Sequence, residues 1–221
     1  MAYRAVIFDL DGTLLDTLDD IADSANKVLT GRGFPPHPVD EYRFFVGDGV
    51  KKLVERILPP GKRSESLVEE CLLQMREEYG RNWNVKTRPY DGIPELLASL
   101  EDLGLKRAVL SNKPDELTQA CVAELLSVWT FDAVAGHSER TPHKPHPDGA
   151  LSLARRLGVN PAEVVLVGDS DIDMRTAVNA GMYPAGATWG FRPREELVTA
   201  GARTLLDRPA DLLAILDNEA N

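Results

Sequence analysis

Short apolar runs alternate with longer amphipathic stretches along most of this chain, and the alternation predicts strands and helices in turn. Residues 5–8, 107–110, 131–135, 164–167 and 184–187 are largely apolar or β-branched and bounded by turn formers, the pattern of strands buried on both faces. Between them, residues 93–103 place Ile93, Leu96, Leu97, Leu100 and Leu103 on one helix face, and Gly104 stops the run. Residues 147–157 repeat the design, with Gly158 as the stop. Strand, helix and strand in succession imply right-handed crossovers, a parallel sheet covered on both faces, and chemistry gathered at the C-terminal strand ends. The expected fold is therefore α/β, a Rossmann-like parallel sheet between helices.

Residues 16–88 break the alternation. They read as helices only, at 18–29, 50–57 and 67–79, punctuated by Pro35, Pro36, Pro38, Pro59, Pro60 and Gly61. The expected division is a discontinuous core of residues 1–15 and 89–221 with a small helical domain inserted at 16–88. An insertion directly after the first strand would act as a lid over the carboxyl ends of the sheet, hinged near Asp16 and Pro89.

Composition narrows the function classes. The chain has 221 residues, enough for one well-buried domain and a small second one. Its net charge of -10 disfavours nucleic acid or an anionic membrane as partner, because both reward clustered Lys and Arg. Cys71 and Cys121 lie in apolar helical patterns without disulfide or zinc spacing and read as reduced core thiols. His37, His137, His143 and His146 show no shared metal spacing. The first apolar run is too short for a secretory signal or a spanning helix, so a cytoplasmic location is expected.

Candidate chemistry sits where the strand patterns end. The first run stops in Asp9-Leu10-Asp11-Gly12-Thr13, and two carboxylates so close need a shared cation or one retained proton. The same residues also read as an Asx-type turn with Gly12 at positive φ. The run at 107–110 ends in Ser111-Asn112-Lys113, a hydroxyl and an amide suited to phosphate at a helix start, or equally to a turn. In His143-Lys144-Pro145-His146-Pro147 two prolines fix the backbone so that Lys144 is held, although a lone loop lysine is usually only solvated. The run at 164–167 ends in Gly168-Asp169-Ser170-Asp171-Ile172-Asp173, where Asp169 is expected to bind metal and Ser170 or Asp171 to cap the following helix, capping being the favoured role for Asp171.

These four clusters, in this order and at strand ends, resemble the haloacid dehalogenase superfamily of phosphohydrolases, in its subclass with a small α-helical cap. The resemblance covers nearly the whole chain. Within the superfamily, Ser111-Asn112-Lys113, Val46-Gly47-Asp48-Gly49, Lys144-Pro145-His146-Pro147 and Thr188-Trp189-Gly190-Phe191 look most like phosphoglycolate phosphatases.

The resemblance implies roles at the matching positions. Asp9 would be the nucleophile, Asp11 the general acid and base, and Lys144 the cation that neutralises nucleophile and phosphoryl group. Mg²⁺ would be held by Asp9, by the main-chain carbonyl of Asp11 and by Asp169, with Asp173 acting indirectly. Gly12, Thr13, Ser111 and Asn112 would cradle phosphate, and the loop Gly47, Asp48 and Gly49 would help select a small phosphorylated metabolite, 2-phosphoglycolate first. A pyrophosphate, sugar phosphate or nucleotide is the alternative substrate. A phosphoacceptor signalling module is disfavoured, since receivers carry adjacent acids and no helical insertion. No Gly-x-Gly-x-x-Gly follows the first strand, which argues against a dinucleotide site.

Overall fold

The structure, a computed structural model, describes residues 3–138 and 141–217. The chain divides into two compact units, Met1–Leu15 with Pro89–Asn221, and Asp16–Arg88. Strands β2 (Leu15–Asp16) and β3 (Arg88–Pro89) lie where the chain passes from one to the other, and pair in a two-stranded ladder of their own.

The first unit is built on a six-stranded sheet. Its strands are β1 (Ala5–Phe8), β4 (Lys106–Pro114), β5 (Ala133–His137), β6 (Val164–Gly168), β7 (Tyr183–Ala187) and β8 (Thr204–Leu206), in the spatial order β5-β4-β1-β6-β7-β8. Every pairing is parallel, with Ala5 opposite both Lys106 and Val164. Side chains on a strand point alternately to opposite faces. Ala5 and Ile7 accordingly join Ala108, Leu110, Val164 and Leu166 in a cluster with Ala150, Leu153, Ala154 and Leu157 of α7 (Asp148–Leu157) and Ala177 and Ala180 of α8 (Asp171–Ala180). Val6 and Phe8, on the opposite face, are also fully buried. That two-sided burial explains why β1 reads as an unbroken apolar run. Helices α5 (Ile93–Asp102), α6 (Asp115–Leu125), α9 (Arg194–Thr199) and α10 (Asp211–Asp217) complete this unit.

The structure differs from the sequence expectation in particular places. The strand expected at 131–135 begins at Ala133, because the Arg107 N–H is taken by the Asp132 carboxylate at 2.9 Å before the ladder starts. Phe131 and Trp129 are half-buried. β4 runs on past 110 to Pro114, with a register shift against β5 between Leu110 and Pro114, so Ser111, Asn112 and Lys113 occupy an irregular stretch. β8 and the last two helices carry no periodic run long enough to predict them.

The second unit contains α1 (Leu18–Gly31), α2 (Tyr42–Phe45), α3 (Val50–Ile57) and α4 (Glu65–Asn82). Ile21, Ala25, Val28 and Leu29 of α1 and Val68, Leu72, Met75 and Tyr79 of α4 are its buried stripes, spaced three and four residues apart. α4 begins at Glu65, behind a Ser64 cap that accepts from Leu67 N, which the apolar pattern alone placed at 67. Tyr42 is fully buried and donates through its hydroxyl to Asn26 Oδ1 at 2.8 Å. Among the described residues no helix is long and apolar enough to cross a membrane.

Asp20 ties the end of this unit to its beginning. Its buried carboxylate accepts from the main-chain N–H groups of Lys86 and Thr87 and from Thr87 Oγ1, at 2.8 to 3.0 Å. Losing the acceptor strands three donors, so Asp20→Ala is expected to destabilise the protein by about 3 kcal/mol in denaturant unfolding, and Asp20→Asn by less. A change within about 0.5 kcal/mol, the size typical of an inert surface position, would contradict this.

Candidate active site

β4, β1 and β6 are neighbours, so the polar residues that follow them converge at one end of the sheet. The ladder carries Asp9 into place, its N–H bonding Val167 O at 2.9 Å. The chain then turns tightly, with Leu14 and Leu15 both donating to Leu10 O and Gly12 donating to Leu15 O. Gly12 takes φ of 86°, and a Cβ there would stand 2.4 Å from a carboxylate oxygen of Asp169. Both the turn and the approach of Asp169 require glycine at this position.

Lys144 holds the centre. Its ammonium bonds Asp9 Oδ1 at 2.7 Å, Asp173 Oδ1 at 2.6 Å and Leu110 O at 3.0 Å, three acceptors for its three N–H donors. Burial works against this cation, but the Asp173 and Asp9 carboxylates outweigh it and keep Lys144 above the ordinary lysine range. Asn112 clasps the same residue from its main chain, accepting from Lys144 N at 2.8 Å and donating to Lys144 O at 3.1 Å. The Asn112 side chain, expected at the phosphate, thus also positions the lysine. Ser111 Oγ accepts from Lys113 N at 3.2 Å.

One oxygen from each of Asp9, Asp169 and Asp173 lies within 4.8 Å of the others. Burial, then the Asp173 charge, pushes Asp9 well above the usual carboxylate range, against the pull of Lys144. Burial and Asp173 likewise raise Asp169 to about 7. Asp169 is fixed at both oxygens, Thr13 Oγ1 donating to Oδ1 at 3.1 Å and Phe191 N to Oδ2 at 2.7 Å. Asp173 lies in a capping box with Ser170, whose N–H and hydroxyl both donate to Asp173 Oδ2. The helix cap is thus Ser170, because Asp173 at the third helical position completes the box. Ser170 is one of the two expected caps; Asp171, the other, sits one position further on and pairs with Arg175.

Asp11 stands outside that carboxylate group. Its Oδ1 accepts from Lys113 Nζ at 2.7 Å, and both side chains are largely buried. Four carboxylates against two ammoniums leave a formal excess of two negative charges, the charge a divalent cation cancels. Hard oxygen donors suit Mg²⁺ or a similar ion, so the residues fit a metal.

The loop after β7 buttresses the site, and sequence reasoning gave it no role. Besides the Phe191 N–H on Asp169, Trp189 Nε1 donates to Thr13 O at 3.0 Å. A Cβ on Gly190 would meet Asp169 Cβ and Gly12 O at 2.3 Å, so backbone packs there with no room for a side chain. Of the expected specificity loop, Gly47 and Gly49 have φ of 122° and 85°, and Asp48 is paired with Arg56, which also donates to Phe45 O. Arg56 is therefore engaged within its own unit. The carboxylate fastens this loop to α3.

Residues 6–187 match the family model of the haloacid dehalogenase-like hydrolases. The phosphoglycolate phosphatase of Aquifex aeolicus is 34% identical over 215 residues, 97% of each chain. An N-acetylmuramic acid 6-phosphate phosphatase of Pseudomonas aeruginosa is 31% identical, covering 98% of this chain and 96% of its own. A crystal structure assigned to a phosphoglycolate phosphatase of Lactobacillus delbrueckii subsp. bulgaricus superposes with a TM-score of 0.92 at 32% identity, over 98% of this chain and 99% of that one. With the strand-end carboxylates and the buried lysine, these matches show that the chain belongs to the haloacid dehalogenase-like hydrolase family and is a phosphoric monoester hydrolase.

Proposed function

We propose that the protein is a Mg²⁺-dependent phosphatase that hydrolyses 2-phosphoglycolate to glycolate and phosphate through an aspartyl-phosphate on Asp9. The observation that carries the reading is the separation of the two motif carboxylates. Asp9 is locked to Lys144 within a cation-binding group, while Asp11, two residues on, stands apart on its own lysine. One suits a nucleophile and the other a proton carrier.

An Asp9 oxygen attacks phosphorus in line as the bond to the leaving oxygen breaks, its electron pair going to that oxygen. Asp11 gives its proton to the leaving oxygen. A water then attacks the phosphoryl group, Asp11 takes that water's proton, and the Asp9–phosphorus bond breaks with its electrons returning to the carboxylate. Lys144 holds Asp9 in line and offsets charge throughout. Asp9, Asp169 and the main-chain carbonyl of Asp11 would hold Mg²⁺, which supplies positive charge against the phosphoryl group in the transition state. Proton transfer contributes about 10² to 10⁴ in rate, whereas monoester hydrolysis can demand acceleration approaching ~10²¹. Positioning and electrostatics must therefore carry most of the barrier reduction.

The core handles only the phosphoryl group, so substrate choice is assigned to the loop Gly47, Asp48 and Gly49 and its helical unit. Relatives named for phosphoglycolate and for a sugar phosphate match this chain at similar identity, which makes a sugar phosphate the second reading.

Purified protein with Mg²⁺ is expected to prefer 2-phosphoglycolate over pyrophosphate, N-acetylmuramic acid 6-phosphate and a nucleotide by more than ~10²-fold in kcat/KM, about 2.7 kcal/mol of discrimination. Asp9→Asn is expected to abolish release from every ester. A preference for the sugar phosphate moves the substrate and keeps the chemistry, while activity surviving Asp9→Asn overturns the mechanism.

The carboxylate group also predicts a pH-dependent response to cation. Without metal, Asp169 titrates near 7 in the folded chain, above its ordinary 3.8, so the folded state holds the extra proton. That contribution to stability is full below the ordinary value and is lost as pH rises through 7. Mg²⁺ should thus raise Tm more at about pH 8 than at about pH 5.5, and Asp169→Asn should erase the increment. Equal increments at both pH values would refute this assignment.

A further inference from the structure

Lys113 is a costly residue to place where it lies. Its side chain is 4% exposed, its partner Asp11 is 14% exposed, and 102 residues separate the two. A lysine with a route to solvent normally keeps its ammonium wet. This one is anchored at its own backbone as well, its N–H on Ser111 Oγ at 3.2 Å and its carbonyl accepting from Thr118 Oγ1 at 3.2 Å. Lys144 already serves Asp9 and Asp173, so the site contains a second buried ammonium, and this one is paired with Asp11.

We propose that Lys113 is the positioning residue of the acid–base step, fixing the Asp11 carboxyl through Oδ1 and reserving Oδ2 for the transferred proton. An ammonium can only donate, so Oδ1 must accept, and a proton carried by Asp11 has only Oδ2 to occupy. Among the described residues nothing donates to Oδ2. The pairing stops rotation of the carboxyl, which would otherwise present either oxygen, and keeps Asp11 out of the neighbouring carboxylate group. Lys113 touches Asp11 and acts through it. The inference rests on the phosphatase reading above.

The test compares Lys113→Met, Lys113→Arg, Asp11→Asn and the Lys113→Met/Asp11→Asn double variant, on the alkyl monoester the wild type hydrolyses best and on p-nitrophenyl phosphate. Nitrophenolate leaves without being protonated, so its first-turnover release bypasses the acid. Lys113→Met is expected to lower kcat on the alkyl ester about 10²-fold, with a much smaller change in KM. First-turnover nitrophenolate release should fall less than tenfold, since it needs no general acid. Lys113→Arg should restore part of the loss, and Lys113→Met should cost little more once Asp11 is Asn. Equal losses on both esters, a rise in KM alone, or additive losses in the double variant overturn the inference. If Lys113→Met does not fold, the same comparison is made with Lys113→Gln. A wild type that releases phosphate from no monoester overturns the phosphatase reading; a wild type that is active beside an equally active Lys113→Met overturns this inference alone.

Discussion

The Lys144 ammonium, gripped by Asp9, Asp173 and the Leu110 carbonyl, is the interaction on which the site depends. Three carboxylates with oxygens within 4.8 Å of one another cannot sit in a buried pocket without compensation. One lysine does not neutralise them, and the upward displacement of Asp9 and Asp169 records the deficit. The deficit suits a divalent cation, whose charge would cancel the repulsion among the three carboxylates.

Everything around this lysine exists to hold it and its partners in place. Asn112 grips its main chain, the ladder between β1 and β6 sets Asp9, and the capping box of α8 sets Asp173. Asp169 is fixed from two sides, by Thr13 and by the Phe191 N–H, in a space that only glycine at 12 and 190 leaves open. Parallel strands from the middle of the sheet deliver these groups at one end of it without a separate device for each. Such preorganisation is what phosphoryl transfer asks of a protein, since the chemistry offers little else to catalyse.

Much of this was legible in the sequence, and the limits have a physical pattern. Apolar runs ending in Asp9, Ser111 and Asp169 announced three of the strands that build the site, because burial on both faces forces an unbroken apolar signal. Relations between distant residues left no such signal. Nothing in the sequence shows that the Asn112 side chain grips Lys144, 32 positions away, or that Lys113 lies beside Asp11, 102 positions away. Ser170 and Asp171 both look like caps by composition, and only the reciprocal box between Ser170 and Asp173 decides for Ser170. β8 is three residues long, too short for any period to show.

Whether Asp9 carries the phosphoryl group is tested directly by acid-quenched mass spectrometry of the enzyme during turnover. A phosphoryl adduct is expected on the peptide containing Asp9, formed and lost at rates compatible with kcat and absent in Asp9→Asn. An adduct on another residue, or turnover at full rate with no adduct at any quench time, would mean that water attacks the ester directly and that the lysine-bound carboxylate is not the nucleophile.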